Sequence, residues 1–202
     1  TSPTLTAPVL GKPASGTHVT TEELLVLDLA CRYVKARTLA IDGGCYIGDW
    51  TEELLRRFTG VAAFDAAADS LAACRQRNPK ASIYHAALWH ERAMVKVVSP
   101  VKRRTKTARQ VKVDPGGDVH AVPLDSLDFL PDLIKLDLEG AEVLALRGAR
   151  LTLDRAKPVL IVEDTFRRKT FGLKPRDLSR FMAHVGYRMV GCVEPNRVWV
   201  PC

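Results

Sequence analysis

Along residues 21–37, TEELLVLDLACRYVKAR, the apolar positions Leu24, Leu25, Leu27, Ala30, Cys31 and Val34 recur near helical spacing, and Thr20 or Thr21 precedes two glutamates as a cap. This predicts a helix. The runs then shorten: TLAID (38–42), VAAFD (61–65) and SIYHAAL (82–88) are brief and apolar, separated by helix-length segments at 48–58 and 67–77. Such alternation predicts β-α-β units, which require parallel strands joined by right-handed crossovers. After Leu88 it lapses into MVKVVSP, a basic run, and QVKVDPGGDVHAVPLDSL, whose period of two around Pro115, Gly116 and Gly117 predicts an irregular β-hairpin. It resumes with DLIKLDLEG (132–140) as a strand, AEVLALRGARLTL as a helix, KPVLIVED (157–164) as a strand and RDLSRFMAHVG as a helix. YRMVGCVEPNRVWVP then reads as two strands about a Pro195-Asn196 turn. The expected fold class is α/β, an open, doubly wound, mostly parallel seven-stranded sheet with a C-terminal antiparallel hairpin. One domain is expected over 21–202, with an irregular basic insert at 95–122 and a Thr-, Ser- and Pro-rich tail over 1–20.

Composition adds constraints. A chain of 202 residues, 47% hydrophobic and 26% charged, suits one sizeable core rather than two. The five cysteines are scattered without a C-x-x-C pair, so neither a zinc site nor a disulfide framework is expected, and a reducing compartment fits. No apolar run approaches the roughly 18 residues that would span a bilayer, so a cytoplasmic protein without a membrane partner is expected. The net charge of +7 and pI near 9.3 favour anionic partners at long range. The densest basic run, Val101 to Lys112, reads either as a solvated loop or as an anion-binding flap.

Between the first predicted strand and the next helix stands IDGGCYIGDWT. In open α/β sheets ligands sit beyond the carboxyl ends of the strands, and Asp42 to Gly48 occupies that place. Gly44 and Gly48 allow a close backbone approach, and the helix start behind them offers free amides to an anion. The G-x-G-x-x-G of a dinucleotide site is absent. Asp65 lies 21 residues beyond Gly44, about where an acidic side chain accepts hydrogen bonds from ribose hydroxyls. A ribose-bearing ligand with a carboxylate tail fits these features better than a diphosphate.

These stretches resemble the class I S-adenosylmethionine-dependent methyltransferases, and more narrowly the FkbM family. AIDGGCYIGDWT is similar to that family's first motif, VAAFDA to its F-E-P strand end, and YHAALWHERA to its A-L segment. LIKLDLEGAEVLALRGA (133–149) resembles its K-x-D-x-E-G-x-E followed by L-x-G, and with PVLIVE the resemblance covers roughly 38–164. It departs at Asp65-Ala66-Ala67, which replaces Glu and Pro, and at the basic insert. The resemblance implies a Rossmann-like methyltransferase whose cofactor is S-adenosyl-L-methionine. Asp42, Gly43, Gly44 and the backbone of Cys45, Tyr46 and Ile47 would surround its methionine portion, with Thr51 near the carboxylate. Asp65, with Ala66 beside it, would hold the ribose, and the segment from Tyr84 through His85, Ala86 and Ala87 would lie along the adenine.

Lys135, Asp137 and Glu139 alternate, which would place all three on one face of a strand, and Glu142 falls in the next helix's first turn. Charge at that density in a buried strand is costly unless the groups pair or bind something. One reading is structural, with Lys135 neutralising Asp137 and Glu139 capping the helix. The other is catalytic: Asp137, Glu139 and Glu163 end adjacent strands where the transferred methyl would sit, Asp137 being the first candidate base and Glu163 the second. Converging carboxylates also allow a divalent metal. His90, His120 and His184 are assigned to surface or packing roles. The resemblance implies O-methylation of a hydroxyl on a small-molecule or glycan-like acceptor. The alternative is an RNA methyltransferase at a ribose 2′-hydroxyl, suggested by the basic run with Arg167, Arg168 and Lys169, although no stacking aromatics interleave with them. A non-catalytic binding module is disfavoured by the intact Asp42, Gly44, Gly48, Asp65 and Asp137.

Overall fold

The computed structural model describes residues 19–98 and 110–202. In chain order its elements are α1 (Thr21–Cys31), β1 (Leu39–Gly43), α2 (Asp49–Leu55), β2 (Gly60–Asp65), α3 (Ala68–Arg77), β3 (Ser82–His85) and β4 (Ala87–Leu88). There follow β5 (Ala93–Val98), β6 (Gln110–Val113), β7 (Val119–Val122), β8 (Leu133–Leu136), α4 (Glu142–Arg147), α5 (Arg150–Ala156), β9 (Val159–Glu163), α6 (Asp177–His184), β10 (Tyr187–Val193) and β11 (Asn196–Pro201). The main sheet has seven strands in the order β10-β11-β9-β8-β1-β2-β3. From β9 through β3 all neighbours are parallel, and β11 runs antiparallel to both β9 and β10. The expected sheet and its C-terminal hairpin are therefore present.

Alternation along the central strands divides the core. Ala40, Leu133 and Ile161 point to one face, where they pack with Val26, Leu27 and Leu54 of α1 and α2. Ile41, Ile134 and Leu160 point to the other, toward Leu146, Leu153 and Met182 of α4, α5 and α6. Period-two placement of β-branched and leucine side chains thus feeds two layers of helix from one strand. Among the described residues no helix is long and apolar enough to cross a membrane.

Several boundaries differ from expectation. Helix α1 stops at Cys31, not near residue 37, and begins with a capping box in which Thr20 and Glu23 satisfy each other's backbone. Val19, assigned to the tail, is buried, and residues 1–18 lie outside the described residues. The 82–88 run is two strands: β3 completes the main sheet, whereas β4 joins a second sheet of order β4-β7-β5-β6. The predicted hairpin about Pro115 is not one, because β5 lies between its arms, with Val95 paired to Val113 on one side and Val119 on the other. Most of the basic run, 102–109, lies outside the described residues. The predicted helix AEVLALRGARLTL is two short helices broken at Gly148, where a Cβ would lie 2.0 Å from the carbonyl oxygen of Trp89.

That close approach predicts that Gly148→Ala lowers stability by about 3 kcal/mol, the upper range for overpacking. Urea unfolding of both proteins measures it, and a change under about 0.5 kcal/mol, typical of an unconstrained surface site, would mean that the helix break has another cause.

Candidate active site

β1 and β8 are paired in register with Asp42 opposite Lys135, so a carboxylate and an ammonium share one face at the middle of the sheet. Both are buried. Lys135 Nζ lies 3.5 Å from Asp42 Oδ1, 3.9 Å from Asp137 Oδ2 and 3.5 Å from the carbonyl oxygen of Gly44. Burial pushes the ammonium pKa down, but attraction from Asp42, Asp137 and Glu163 outweighs it and the net shift is upward. Lys135 stays charged.

The second oxygen of Asp42 accepts the Thr51 hydroxyl at 2.7 Å. Thr51 is fully buried, so its hydroxyl secures the loop to α2 and does not face a ligand carboxylate as expected. Gly44 has φ +81°, and a Cβ there would lie 1.8 Å from the carbonyl oxygen of Asp137. Only glycine allows β1's loop and β8's loop to meet so closely. The Gly44 and Cys45 amides bond to the Phe64 carbonyl at 2.8 and 3.1 Å. Tyr46 donates its amide to Asp65 Oδ2 at 2.8 Å, and Ala67 donates to Oδ1 at 2.7 Å. Burial raises the Asp65 pKa, the two amides opposing it.

Beyond these loops opens a cleft of about 240 Å³. Of the expected residues, Gly44, Tyr46, Asp65, Ala66, Ala86, Ala87, Asp137 and Glu139 line it. Asp42, Gly43, Cys45, Ile47 and Thr51 are not among its lining residues. Cys45 is buried with its Sγ 3.8 Å from that of Cys74. His85 points elsewhere, its Nε2 3.0 Å from the Ala66 carbonyl oxygen. The insert roofs the cleft: Val111 lines it and the Gln110 side chain donates to the Glu139 carbonyl at 3.0 Å.

The predicted strand 132–140 ends at Leu136, and Glu139 takes φ +56°. The shared face therefore extends only to Asp137. Glu139 turns away to pair with Arg167, and Glu142 caps the turn, its Oε1 accepting the Leu138 and Gly140 amides at 2.8 and 3.1 Å. Burial lifts the Glu139 pKa to about 7 against the pull of Arg167. Burial likewise lifts Glu142 to about 7, the amides opposing. Carboxylate oxygens of Asp137, Glu142 and Glu163 all lie within 4.8 Å of one another. Burial first, then repulsion from Asp137, Glu142 and Glu139, raises Glu163 to about 8, with a hydrogen bond to Asp137 adding to the shift. At neutral pH Glu163 therefore carries the proton between them. Asp164 is taken up by Arg168 and Arg197.

A second cleft of about 200 Å³ adjoins the first, with Asp137 common to both. It is walled by α1's start, Trp50 and the β10–β11 turn, none of which sequence reasoning assigned to the site. The available signal was topological. An antiparallel strand laid on β9 must carry its turn to the acidic end of β9, and Asn196 pairs with Glu163 there.

Residues 52–189 match the sequence profile of the methyltransferase FkbM domain, just over two thirds of the chain. The chain belongs to the FkbM methyltransferase family. A methyltransferase FkbM from Methylobacillus flagellatus KT superposes with a TM-score of 0.54 at 15% identity, over 82% of this chain and 43% of that one. This FkbM domain thus spans less than half the length of that protein. Magnesium protoporphyrin IX methyltransferase from Synechocystis PCC 6803, solved with bound S-adenosylmethionine, superposes at 0.55 with 12% identity, covering 90% and 78%. A ribosomal protein L11 methylase from Lactobacillus delbrueckii subsp. bulgaricus gives 0.54 at 12%, also covering 90% and 78%. At such identities these likenesses establish the Rossmann-like methyltransferase fold alone. No curated protein matches the chain in sequence.

The Glu163 shift fixes the sign of a pH dependence. An unfolded glutamate ionises near pH 4.3, whereas Glu163 in the folded protein holds its proton to about 8, so between these values the folded state binds the extra proton. Its contribution to stability is therefore present at low pH and is lost as pH rises toward 8. Glu163→Gln should flatten the fall in melting temperature between pH 5 and 8 by up to one proton's worth, about 1.4 kcal/mol per pH unit. Parallel curves for the two proteins would show that the Glu163 carboxyl is not so perturbed.

Proposed function

We propose that this FkbM domain binds S-adenosylmethionine in the 240 Å³ cleft and methylates a hydroxyl of a small-molecule or glycan-like acceptor held in the adjoining one. The observation that carries this reading is the place of Asp137: among the described residues it alone lines both clefts. Family membership and the cofactor bound to the Synechocystis enzyme support the donor.

The donor site fits on its own chemistry. Gly44 lets the loops after β1 and β8 meet beneath the cleft, and Tyr46 and Ala66 flank Asp65 on the cleft wall. Each carboxylate oxygen of Asp65 gives one lone pair to a backbone amide and keeps another for a ribose hydroxyl. Ala86 and Ala87 present small apolar walls suited to a flat base. Asp42, Thr51 and Lys135 act one layer behind, holding the loop in shape.

When bound, the cofactor supplies a sulfonium-activated methyl group. Asp137, at the junction of the two clefts, would accept the proton of the acceptor hydroxyl as it is methylated. Lys135, 3.9 Å from Asp137, and the carboxyl of Glu163 flank that group and position it for this role. Glu139 lines the donor cleft but is engaged by Arg167, which suits shaping rather than proton transfer. Glu142 Oε1 is committed to the Leu138 and Gly140 amides, which leaves Asp137 and Glu163 as the freer members of this carboxyl cluster. For a ribose 2′-hydroxyl of RNA, a phosphodiester backbone would have to enter a cleft with five carboxylates.

Asp65→Ala should weaken S-adenosylmethionine binding by roughly 1.5 to 3 kcal/mol for each hydrogen bond lost, read by calorimetry; unchanged affinity would remove Asp65 from the donor site. Asp137→Asn should leave that affinity within a few-fold while lowering turnover of an identified acceptor by about 10² or more. Near-normal turnover in this variant would make Asp137 structural.

A further inference from the structure

Five cysteines are scattered along the chain, yet the fold brings two of them into contact. Cys45, in the loop after β1, and Cys74, on α3, are 29 residues apart in sequence and have their sulfurs 3.8 Å apart. Both are buried, and the proposed methyl transfer uses neither. Ala63 and Leu71 pack with them, but apolar packing does not account for the polar groups around Cys74. The Cys45 thiol donates to its sulfur, and the Asn78 side-chain amide donates to it at 3.9 Å while also holding the Gly48 carbonyl at 3.0 Å. The Thr51 oxygen, whose own proton goes to Asp42, lies 3.9 Å from the same sulfur and accepts the Cys74 S–H. Two donors and one acceptor thus meet a single thiol. The hydrogen bond from Cys45, acting against burial, sets Cys74 below its ordinary thiol pKa, while the same bond, with burial, raises Cys45. Cys74 is therefore the readier nucleophile of the two.

The pair is also placed where joining it has a consequence. Cys45 sits between Gly44, which packs on the Asp137 carbonyl, and Tyr46, whose amide holds Asp65. A disulfide is about 2.0 Å long, so from 3.8 Å the sulfurs must close by roughly 1.8 Å. That closure draws the loop toward α3 and shifts the carboxylate that would hold the ribose. Access comes through the helix: α3 starts at Ala67 without a side-chain cap and buries only Ser70, Leu71 and Cys74 of its ten residues. A local opening of α3 exposes Cys74 and leaves the sheet intact.

We propose that Cys45 and Cys74 form a modification site, which a hydroperoxide converts to a disulfide that closes the donor cleft. The closure rests on the reading of that cleft as the cofactor site. The Cys74 thiolate attacks one peroxide oxygen and the O–O bond breaks, leaving a sulfenic acid on sulfur while the other oxygen departs as water with the thiol proton. The Cys45 sulfur then attacks that of Cys74. An S–S bond forms, the S–O bond breaks, and the hydroxyl leaves with the Cys45 proton as a second water. Two thiols are oxidised as one peroxide is reduced to two waters.

The test treats the native full chain with hydrogen peroxide, alkylates the remaining thiols and maps disulfides by mass spectrometry. S-adenosylhomocysteine affinity is then measured by titration calorimetry, with the peroxide removed first so that the ligand's own sulfur is spared. The Cys45–Cys74 linkage should form, affinity should fall ten-fold or more, and dithiothreitol should restore it. Cys74→Ala should bind as tightly as the reduced unaltered protein, which shows that it is folded, and peroxide should not change its affinity. The map and the dithiothreitol reversal use the unaltered protein and stand even where the variant fails to fold. Oxidation of the exposed Cys192 and Cys202 with Cys45 and Cys74 still free overturns the proposal. A linkage that leaves affinity intact, or an equal loss of affinity in the variant, also overturns it. Failure of the reduced protein to bind S-adenosylhomocysteine sinks the donor site instead, and the linkage map alone then decides whether the pair is a modification site.

Discussion

The site depends on a single buried ammonium. Lys135 lies in the central strand of the sheet with its charged end wholly removed from water. An ion so placed is tolerated only if opposite charge surrounds it, and here that charge comes from the ends of two neighbouring strands: Asp42 is the penultimate residue of β1, Asp137 follows β8, and the Gly44 carbonyl closes the shell. The electrostatic requirement of one side chain thus ties the loop after β1 to Asp137. Asp42 in turn fixes Thr51, so the first helix beyond the loop is registered against the same charge. A neutral residue at position 135 would leave Asp42 buried and unpaired, which is why the K-x-D spacing and the Asp-x-Gly spacing work as a unit.

Much of this was legible in the chain. Strand identity followed from short apolar runs, and the two-layer arrangement followed from alternation within them, because both depend on neighbours a few residues away. The failures share a cause. Gly148 breaks a continuous apolar helix pattern because the Trp89 carbonyl, far away in sequence, occupies the space where a straight helix would carry its side chain. Val95 separates the arms of an apparent hairpin because β5 inserts between strands that are closer to each other in sequence. No local pattern records an occupant that arrives from elsewhere.

The same division holds within the site. Gly44, Asp65 and Asp137, singled out from their places at strand ends, all line the cleft. Roles inferred from position alone fared less well. Thr51 stands at a helix start but turns its hydroxyl inward, His85 stands at a strand end but folds back onto Ala66, and Glu139 loses its expected face to a left-handed turn. The second cleft left no motif, since its walls come from α1, α2 and the last hairpin and are joined only by the sheet order.

Charge gives the arrangement its direction. The excess of basic residues acts over a Debye length and draws anions toward the molecule as a whole, whereas the lining of the second cleft holds five carboxyl groups and no basic side chain, with Lys135 beneath it 3.9 Å from Asp137. Short-range interactions in a partly desolvated cleft exceed screened long-range ones, so the local sign outweighs the net charge there. That ordering also accounts for Glu163. Among several neighbouring carboxyl groups a further ionised carboxylate is unfavourable, so burial and repulsion from Asp137, Glu142 and Glu139 together raise Glu163 to about 8.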